Sequence, residues 1–435
     1  MYKRQVNQRP LNATLARQYD GTTTAAGSTL SSFDALQGGE TLTMTGSGTA
    51  ASANVANGIA MSSNGTLALA DGTGLASNYS LNSTVINIAQ RVLNSSGSKT
   101  YDANTDALAG AITLSNLVSG EALNHSGTAT ISSANAGSYT ITNLSGISIA
   151  DGSGGTASNY TLTGGTHNFT VNRRAVSVSG TRLYDATTNA VASDLSTHAN
   201  LVGSETLNLS GTGTIASKNV GSNKTVSVGT LALADGSNGG LAANYTLSGG
   251  THQLTVNQRP LNATLARQYD GTTTAAGSTL SSFDALQGGE TLTMTGSGTA
   301  ASANVANGIA MSSNGTLALA DGTGLASNYS LNSTVINIAQ RVLNSSGSKT
   351  YDANTDALAG AITLSNLVSG EALNHSGTAT IGSANAGSYT ITNLAGITIA
   401  DGSGGTASNY TLTGGTHQLT ICLLYTSPSP RDLYR

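Results

Sequence analysis

Repetition constrains this chain more than any other feature. Residues 256–421 restate residues 6–171 with six differences, among them Ser132 against Gly382 and Phe169 against Leu419, which sets a period of 250. A shorter period lies inside it. An Arg followed ten residues later by Tyr-Asp recurs at Arg9/Tyr19-Asp20, Arg91/Tyr101-Asp102, Arg174/Tyr184-Asp185, Arg259/Tyr269-Asp270 and Arg341/Tyr351-Asp352, at spacings of 82, 83, 85 and 82. Each Tyr-Asp leads, 59 to 61 residues later from Tyr to Tyr, to an Asn-Tyr: Asn78-Tyr79, Asn159-Tyr160, Asn244-Tyr245, Asn328-Tyr329 and Asn409-Tyr410. Five units result: 9–90, 91–173, 174–258, 259–340 and 341–421.

Within a unit, Val176 and Val178 alternate with Ser177 and Ser179, Tyr245 and Leu247 flank Thr246, and Leu254 and Val256 flank Thr255. That is the period-2 signature of half-buried strands. Turn signals at Asp71-Gly72, Asp151-Gly152 and Asp235-Gly236 precede the Asn-Tyr strands. No window sustains a 3.6-residue apolar period, so almost no helix is expected. Several short strands joined by Gly-rich turns can close a small two-sheet sandwich. Consecutive units have no linker, since Leu254-Thr255-Val256-Asn257-Gln258 runs straight into Arg259, and junctions that short favour a stiff rod. A β-solenoid shaft is the other reading, but solenoids repeat about every 20 to 30 residues and no such self-similarity lies inside the unit.

The succession Arg, Tyr-Asp-Gly/Ala-Thr/Asn-Thr, Gly-Glu, Asn-Val-Gly and Asn-Tyr-Thr-Leu resembles the YDG repeat domain of large bacterial exoproteins of the filamentous-haemagglutinin type, over essentially all of 9–421. The first and fourth units depart from it, with Ala56-Asn57-Gly58 and Ala306-Asn307-Gly308 where Val-Gly is expected. The resemblance implies an all-β tandem array of five immunoglobulin-like β-sandwiches forming an elongated, monomeric rod. It also implies a place in the stalk of an adhesin exported by two-partner secretion to the bacterial cell surface, with an unidentified ligand on a host or neighbouring cell. The second functional reading is that the repeats themselves bind a host glycan or matrix protein.

The recurring residues Tyr19, Asp20, Asn78, Tyr79, Tyr101, Asp102, Asn159, Tyr160, Tyr184, Asp185, Asn244, Tyr245, Tyr269, Asp270, Asn328, Tyr329, Tyr351, Asp352, Asn409 and Tyr410 are expected to be structural. The tyrosines read as the large core residues of their units, against a surface row for stacking on sugars. The Asp of Tyr-Asp reads as a turn residue bonding its own backbone. Of 33 charged residues in 6–421, 25 sit at five recurring positions: the opening Arg, the base two before Tyr-Asp, that Asp, the Glu of Gly-Glu and the Asp of Asp-Gly. A catalytic constellation belongs to one unit, and the charges that do not recur, such as Asp194, Lys218 and Lys224, form no acid–base pair. No enzyme is expected. Neither is a metal or cofactor: the Asp-Gly spacing fits no calcium loop, and His167, His252 and His417 fall singly in separate units. Sequons such as Asn12, Asn78, Asn124, Asn159 and Asn208 are candidates for glycosylation.

Charged residues make up 9 % of the chain and the formal charge is −4, which cannot neutralise a run of phosphates, so no nucleic-acid partner is expected. No stretch approaches the roughly 18 apolar residues of a membrane span. The ends break the composition. Residues 1–5 and 422–432 resemble translated sequencing adapter: TGTCTCTTATACAC encodes Cys422 to Tyr425, and its reverse complement gives Met-Tyr-Lys-Arg-Gln when GTG initiates. On this reading 1–8 are adapter-derived residues with a residual strand, 422–435 an adapter-derived tail, and the chain a fragment of a longer reading frame.

Overall fold

The computed structural model describes residues 6–424. The adapter-like residues 1–5 and 425–435 lie outside them, whereas Cys422 ends the strand His417–Cys422, opposite Thr350. Among the described residues the regular structure is strand and three-residue 3-10 turn, with no α-helix.

The first repeat sets the pattern. Its strands are β1 (Arg9–Gln18), β2 (Thr24–Ala26), β3 (Leu30–Phe33), β4 (Leu42–Thr45), β5 (Ser47–Ala50), β6 (Ala56–Ser63), β7 (Ala68–Asp71) and β8 (Tyr79–Ala89). Six form one sheet in the order β2-β5-β6-β8-β1-β3, and β4 pairs with β7. The first and last strands run parallel along their full length, from Arg9 opposite Tyr79 to Gln18 opposite Ala89. Pro10 fits in β1 because β3 pairs with that strand only at Ala13–Leu15, so the donor proline lacks is not needed there.

Two glycines shape the repeat. Gly46, at φ +75, stands between β4 and β5, and a Cβ there would lie 2.0 Å from the Thr66 carbonyl oxygen, so the chain turns from the small pair into the large sheet at a residue without a side chain. Gly58, at φ +68, lies in a bulge of β6, where the register shifts between Ala56 and Ile59. The departure from Val-Gly is absorbed by that bulge, and the Gly58 N–H donates to Asn87 Oδ1 at 2.8 Å.

Two compact units make up the chain. One comprises the described residues to Val178 with Ser196–Gly211 and Thr230–His252; the other comprises Ser179–Leu195, Thr212–Gly229 and the described residues from Gln253. Neither boundary follows the repeats, and the core of the first unit explains why. Ala13, Leu15, Tyr19, Ala25, Met44, Ala50, Ile86 and Ile88 of repeat 1 cluster with Leu93 and Tyr160 of repeat 2, and Val118, Leu123, Ile149 and Leu162 pack against them. The large sheet of one repeat is therefore covered by the small strand pairs of the next. In the second unit, Ala263, Leu265, Tyr269, Ile336 and Ile338 cluster likewise with Leu343 and Tyr410. The expectation that each unit buries its own core is corrected for repeats 1 and 4, whose sheets are covered in part by apolar side chains of the repeat that follows, whereas Ile362, Ile381, Ile397 and Leu419 of repeat 5 form a buried cluster within that repeat.

Candidate functional site

The recurring residues converge on the seam between repeats. Nine of the ten expected core tyrosines are buried, and Tyr351 is 47 % exposed. The buried Tyr-Asp tyrosines find their partners about a hundred residues away. Tyr19 donates its hydroxyl to Glu121 Oε1 at 2.6 Å, and Tyr160, in the same repeat as Glu121, donates to Oε2 at 2.7 Å. The rings of Tyr19 and Tyr160 meet edge to face, their centroids 5.4 Å apart. One carboxylate thus staples the Tyr-Asp tyrosine of one repeat to the Asn-Tyr tyrosine of the next. The same triad recurs as Tyr101–Glu205–Tyr245, Tyr184–Glu290–Tyr329 and Tyr269–Glu371–Tyr410.

Two further contacts accompany each triad. The Asn of Asn-Tyr is almost fully buried at Asn159, Asn244, Asn328 and Asn409. Asn159 Oδ1 accepts the Val55 N–H at 2.9 Å while its Nδ2 donates to Asn54 Oδ1 at 3.0 Å. Asn244 does the same with Ala136 and Asn135, Asn328 with Val220 and Asn219, and Asn409 with Val305 and Asn304. The opening Arg closes the seam: Arg91, Arg174, Arg259 and Arg341 donate to the carbonyls of Tyr19, Tyr101, Tyr184 and Tyr269 of the preceding repeats.

Burial, followed by the carboxylate beside it, pushes the Tyr19 and Tyr101 phenols up to about 12. Tyr245, Tyr329 and Tyr410 reach about 12 with burial again the main cause. At the third seam Lys218 Nζ donates to Glu290 Oε1 at 2.7 Å. Burial pushes the Glu290 carboxyl up, but Lys218, Tyr184 and Tyr329 together hold it below the usual carboxylate range.

The Asp of Tyr-Asp fixes its turn, with Asp20 Oδ1 accepting the Thr22 N–H and hydroxyl, each at 2.9 Å. Asp185 and Asp270 hold Thr187 and Thr272 alike, while Asp102 and Asp352 accept the N–H of Asn104 and Asn354. Each also pairs with the base three residues before it: Arg17, Lys99, Arg182, Arg267 or Lys349. Lys349 Nζ sits among Asp352 Oδ1, the Asn354 carbonyl and Oδ1, and the Asp356 carbonyl, at 2.8–2.9 Å, so an ammonium occupies the cluster of oxygens. Sequence reading gave the bases and the Gly-Glu no partners, although charges held in phase in so uncharged a chain were the available signal.

The Asp of Asp-Gly caps the 3-10 turn ahead of Asn-Tyr, as where Asp71 Oδ1 accepts the Ala76 N–H at 2.7 Å. His167 is buried, its Nδ1 2.9 Å from Ser95 Oγ and its Nε2 2.8 Å from the Leu162 carbonyl. Among the described residues no three His, Cys, Asp or Glu side chains gather as a metal site. Of the sequons, Asn159 has its amide consumed within the seam, and Asn78 is exposed.

No curated protein matches this chain. Among solved structures the Bacillus anthracis TIE protein is similar at 8 % identity over 89 % of this chain and 76 % of that one, with a TM-score of 0.18, well below the level of a shared fold. The YDG domain pattern matches five times, at residues 2–86, 89–168, 168–255, 252–336 and 339–417. With five matches in register and the residues of the motif gathered at the seams, the chain belongs to the YDG domain family.

Proposed function

We propose that this chain is a non-enzymatic repeat array from the stalk of a large bacterial surface adhesin of the filamentous-haemagglutinin type, exported by two-partner secretion. Its repeats, read as immunoglobulin-like sandwiches, project a distal binding region away from the cell. The observation that carries this reading is the seam: the recurring Tyr, Glu, Asn and Arg are consumed in joining each repeat to the next. Chemistry spent on connection rather than on an open cleft suits a spacer. The parallel pairing of the first and last strands of a repeat suits a spacer under tension, because force along the chain is shared by the whole ladder.

The test is carried out on cells displaying the parent protein. Removing one 250-residue period should reduce adhesion, while the isolated array should show no saturable binding to the same target. Saturable binding by the isolated array would favour the second reading, in which the repeats bind a glycan or matrix protein themselves. Adhesion unchanged by shortening, together with no binding, would discard both.

A further inference from the structure

The four seams share their hydrogen bonds but differ in shape. The residue after Tyr-Asp takes a positive φ in every repeat, and it is of two kinds: Gly21 and Gly271 at φ +75, and Ala103, Ala186 and Ala353 at φ +61 to +63. The loop leading to the Glu of the next repeat is also of two kinds. The glycines are followed by Val118-Ser119-Gly120-Glu121 and Val368-Ser369-Gly370-Glu371, which take a positive φ only at the residue just before Glu. Ala103 and Ala186 are followed by Val202-Gly203-Ser204-Glu205 and Gln287-Gly288-Gly289-Glu290, where positive φ begins one residue earlier, at Gly203 and Gly288.

Sterics account for the pairing. A Cβ added at Gly21 would lie 2.9 Å from Val118 Cγ1, and one at Gly271 would lie 2.8 Å from Val368 Cγ1. Val118 packs against the core that repeat 2 shares with repeat 1, and a β-branched side chain has little freedom about χ1, so it cannot swing aside. Where the preceding repeat carries Ala, the contact is reversed. A Cβ added at Gly288 would lie 2.8 Å from Ala186 Cβ, so the methyl group sits over a residue that has no side chain. Valine alone does not exclude alanine, since Val202 follows Ala103 in a seam that forms its full triad; the path of the loop decides.

We propose that these positions fix the order of the repeats: the loop at Val118–Glu121 seats only against a repeat that carries Gly after Tyr-Asp, so a repeat of this kind can follow repeat 1 but neither repeat 2 nor repeat 3. The exclusion runs one way, because Gly21 set against a loop of the Gly288 kind would leave a gap rather than a clash. The Tyr, Glu and Asn contacts that hold the seams are the same at all four, so they cannot tell one neighbour from another. A seam built from them alone would accept repeat 5 in the place of repeat 4, the misassembly to which repeat arrays are prone. Discrimination comes instead from a clash against the wrong neighbour.

Native-state hydrogen exchange on the full chain tests this. Gln287→Val with Gly288→Ser gives repeat 4 the loop of repeat 2 while it still follows Ala186. The Val220 N–H, held across that seam by Asn328 Oδ1 at 2.9 Å, should then exchange at least about fivefold faster, the lower end of what overpacking a buried contact costs. Adding Ala186→Gly should return it to within about twofold of the parent rate. At the other kind of seam, Gly21→Ala is made together with Gly271→Ala because the two copies give identical peptides. It should speed exchange of the Val55 and Val305 N–H groups, held by Asn159 and Asn409, and do so at least about threefold less in a chain that also carries Val118→Ala and Val368→Ala. The strain of alanine at positive φ stays within repeats 1 and 4 whatever stands at 118, so only the clash across the seam is relieved. The proposal is overturned if the loop exchange leaves Val220 at its parent rate, if Ala186→Gly does not restore protection or, in a chain that fails to fold, the fold itself, or if the Gly21→Ala effect is the same with and without Val118→Ala.

Discussion

Replacing Glu205 with Gln should loosen repeat 3 and repeat 2 together, even though the Glu205–Tyr101 partners are 104 residues apart. Glu205 accepts Tyr101 at 2.8 Å and Tyr245 at 2.7 Å. Hydrogen bonds to a charged acceptor are worth about 1.5–3 kcal/mol and neutral ones about 1 kcal/mol. The amide keeps one acceptor oxygen and turns its NH2 toward the other buried hydroxyl, so one bond weakens and one is lost, a net of roughly 2–3 kcal/mol. The array is too long for a single two-state transition, so the readout is native-state hydrogen exchange. Repeat 3 has no near-identical copy, which makes its peptides distinguishable by mass. The Val202 N–H, which donates to the Tyr245 hydroxyl at 2.9 Å, and the Ala136 N–H, bound to Asn244, should both exchange roughly 30- to 150-fold faster, at about 1.4 kcal/mol per tenfold. Tyr101→Phe, a change confined to repeat 2, should accelerate Val202 too, and combined with Glu205→Gln should add little, because both remove one shared bond. Protection at Val202 unchanged by Tyr101→Phe would refute the seam as an energetic link.

Asn244→Ala, which strips the Ala136 N–H and the Asn135 amide of a buried partner, should destabilise that seam by about 2 kcal/mol, whereas Asn78→Ala should leave the thermal midpoint of the dilute chain unchanged; protease susceptibility separates the two. In alkali, phenols raised to about 12 in the fold and titrating near 10 when unfolded contribute stability that is complete below about pH 10 and is lost as pH rises toward about 12. Tyrosinate absorbance from these buried seam phenols should therefore appear together with loss of β-sheet circular dichroism in that window; ionisation of every phenol in the chain near pH 10 with the fold intact would contradict this. Gly58→Ala with Gly308→Ala should cost about 1 kcal/mol each, since φ is +68 and +67 while a Cβ added at either residue would meet no atom within 4 Å, read as a lower urea midpoint. Pulled from its ends, the chain should unfold in steps of about 82 residues, each releasing at most roughly 280 Å; smooth extension without steps would count against a stalk.

How much of this was legible follows from what a repeat can encode. The alternation of Leu254 and Val256 with Thr255 marks both a strand and its buried face, and the structure buries both residues in the strand Gln253–Asn257. The role of Asp20 as a turn residue was legible because its partner, Thr22, is two positions away. Tyr19 was different. Its partner could be Tyr79 of its own repeat or Tyr160 of the next, and in a periodic sequence both choices have identical surroundings, so no local pattern separates them. The parallel pairing of β1 with β8 was hidden for a related reason: register between distant strands depends on which side of the sheet the chain returns to. The bulge at Gly58 was legible only as a departure, since an extra residue in a strand is recognised once its partner strand is known.

The seam and the strand order reinforce one another mechanically. In repeat 1 the chain enters along β1 and leaves along β8, which lie side by side and parallel from Arg9 opposite Tyr79 to Gln18 opposite Ala89. Tension applied at the two ends drives these strands past each other, so their hydrogen bonds are loaded together and none can be peeled off first. At the exit of that ladder the Tyr19 N–H is bound to the Ala89 carbonyl at 2.9 Å, and the Tyr19 hydroxyl is held by Glu121 of the following repeat. A strand that slides must therefore also withdraw Tyr19 from a buried site shared with its neighbour, breaking a charge-assisted bond and an edge-to-face contact at once. Resistance at each ladder is thus backed by the next repeat.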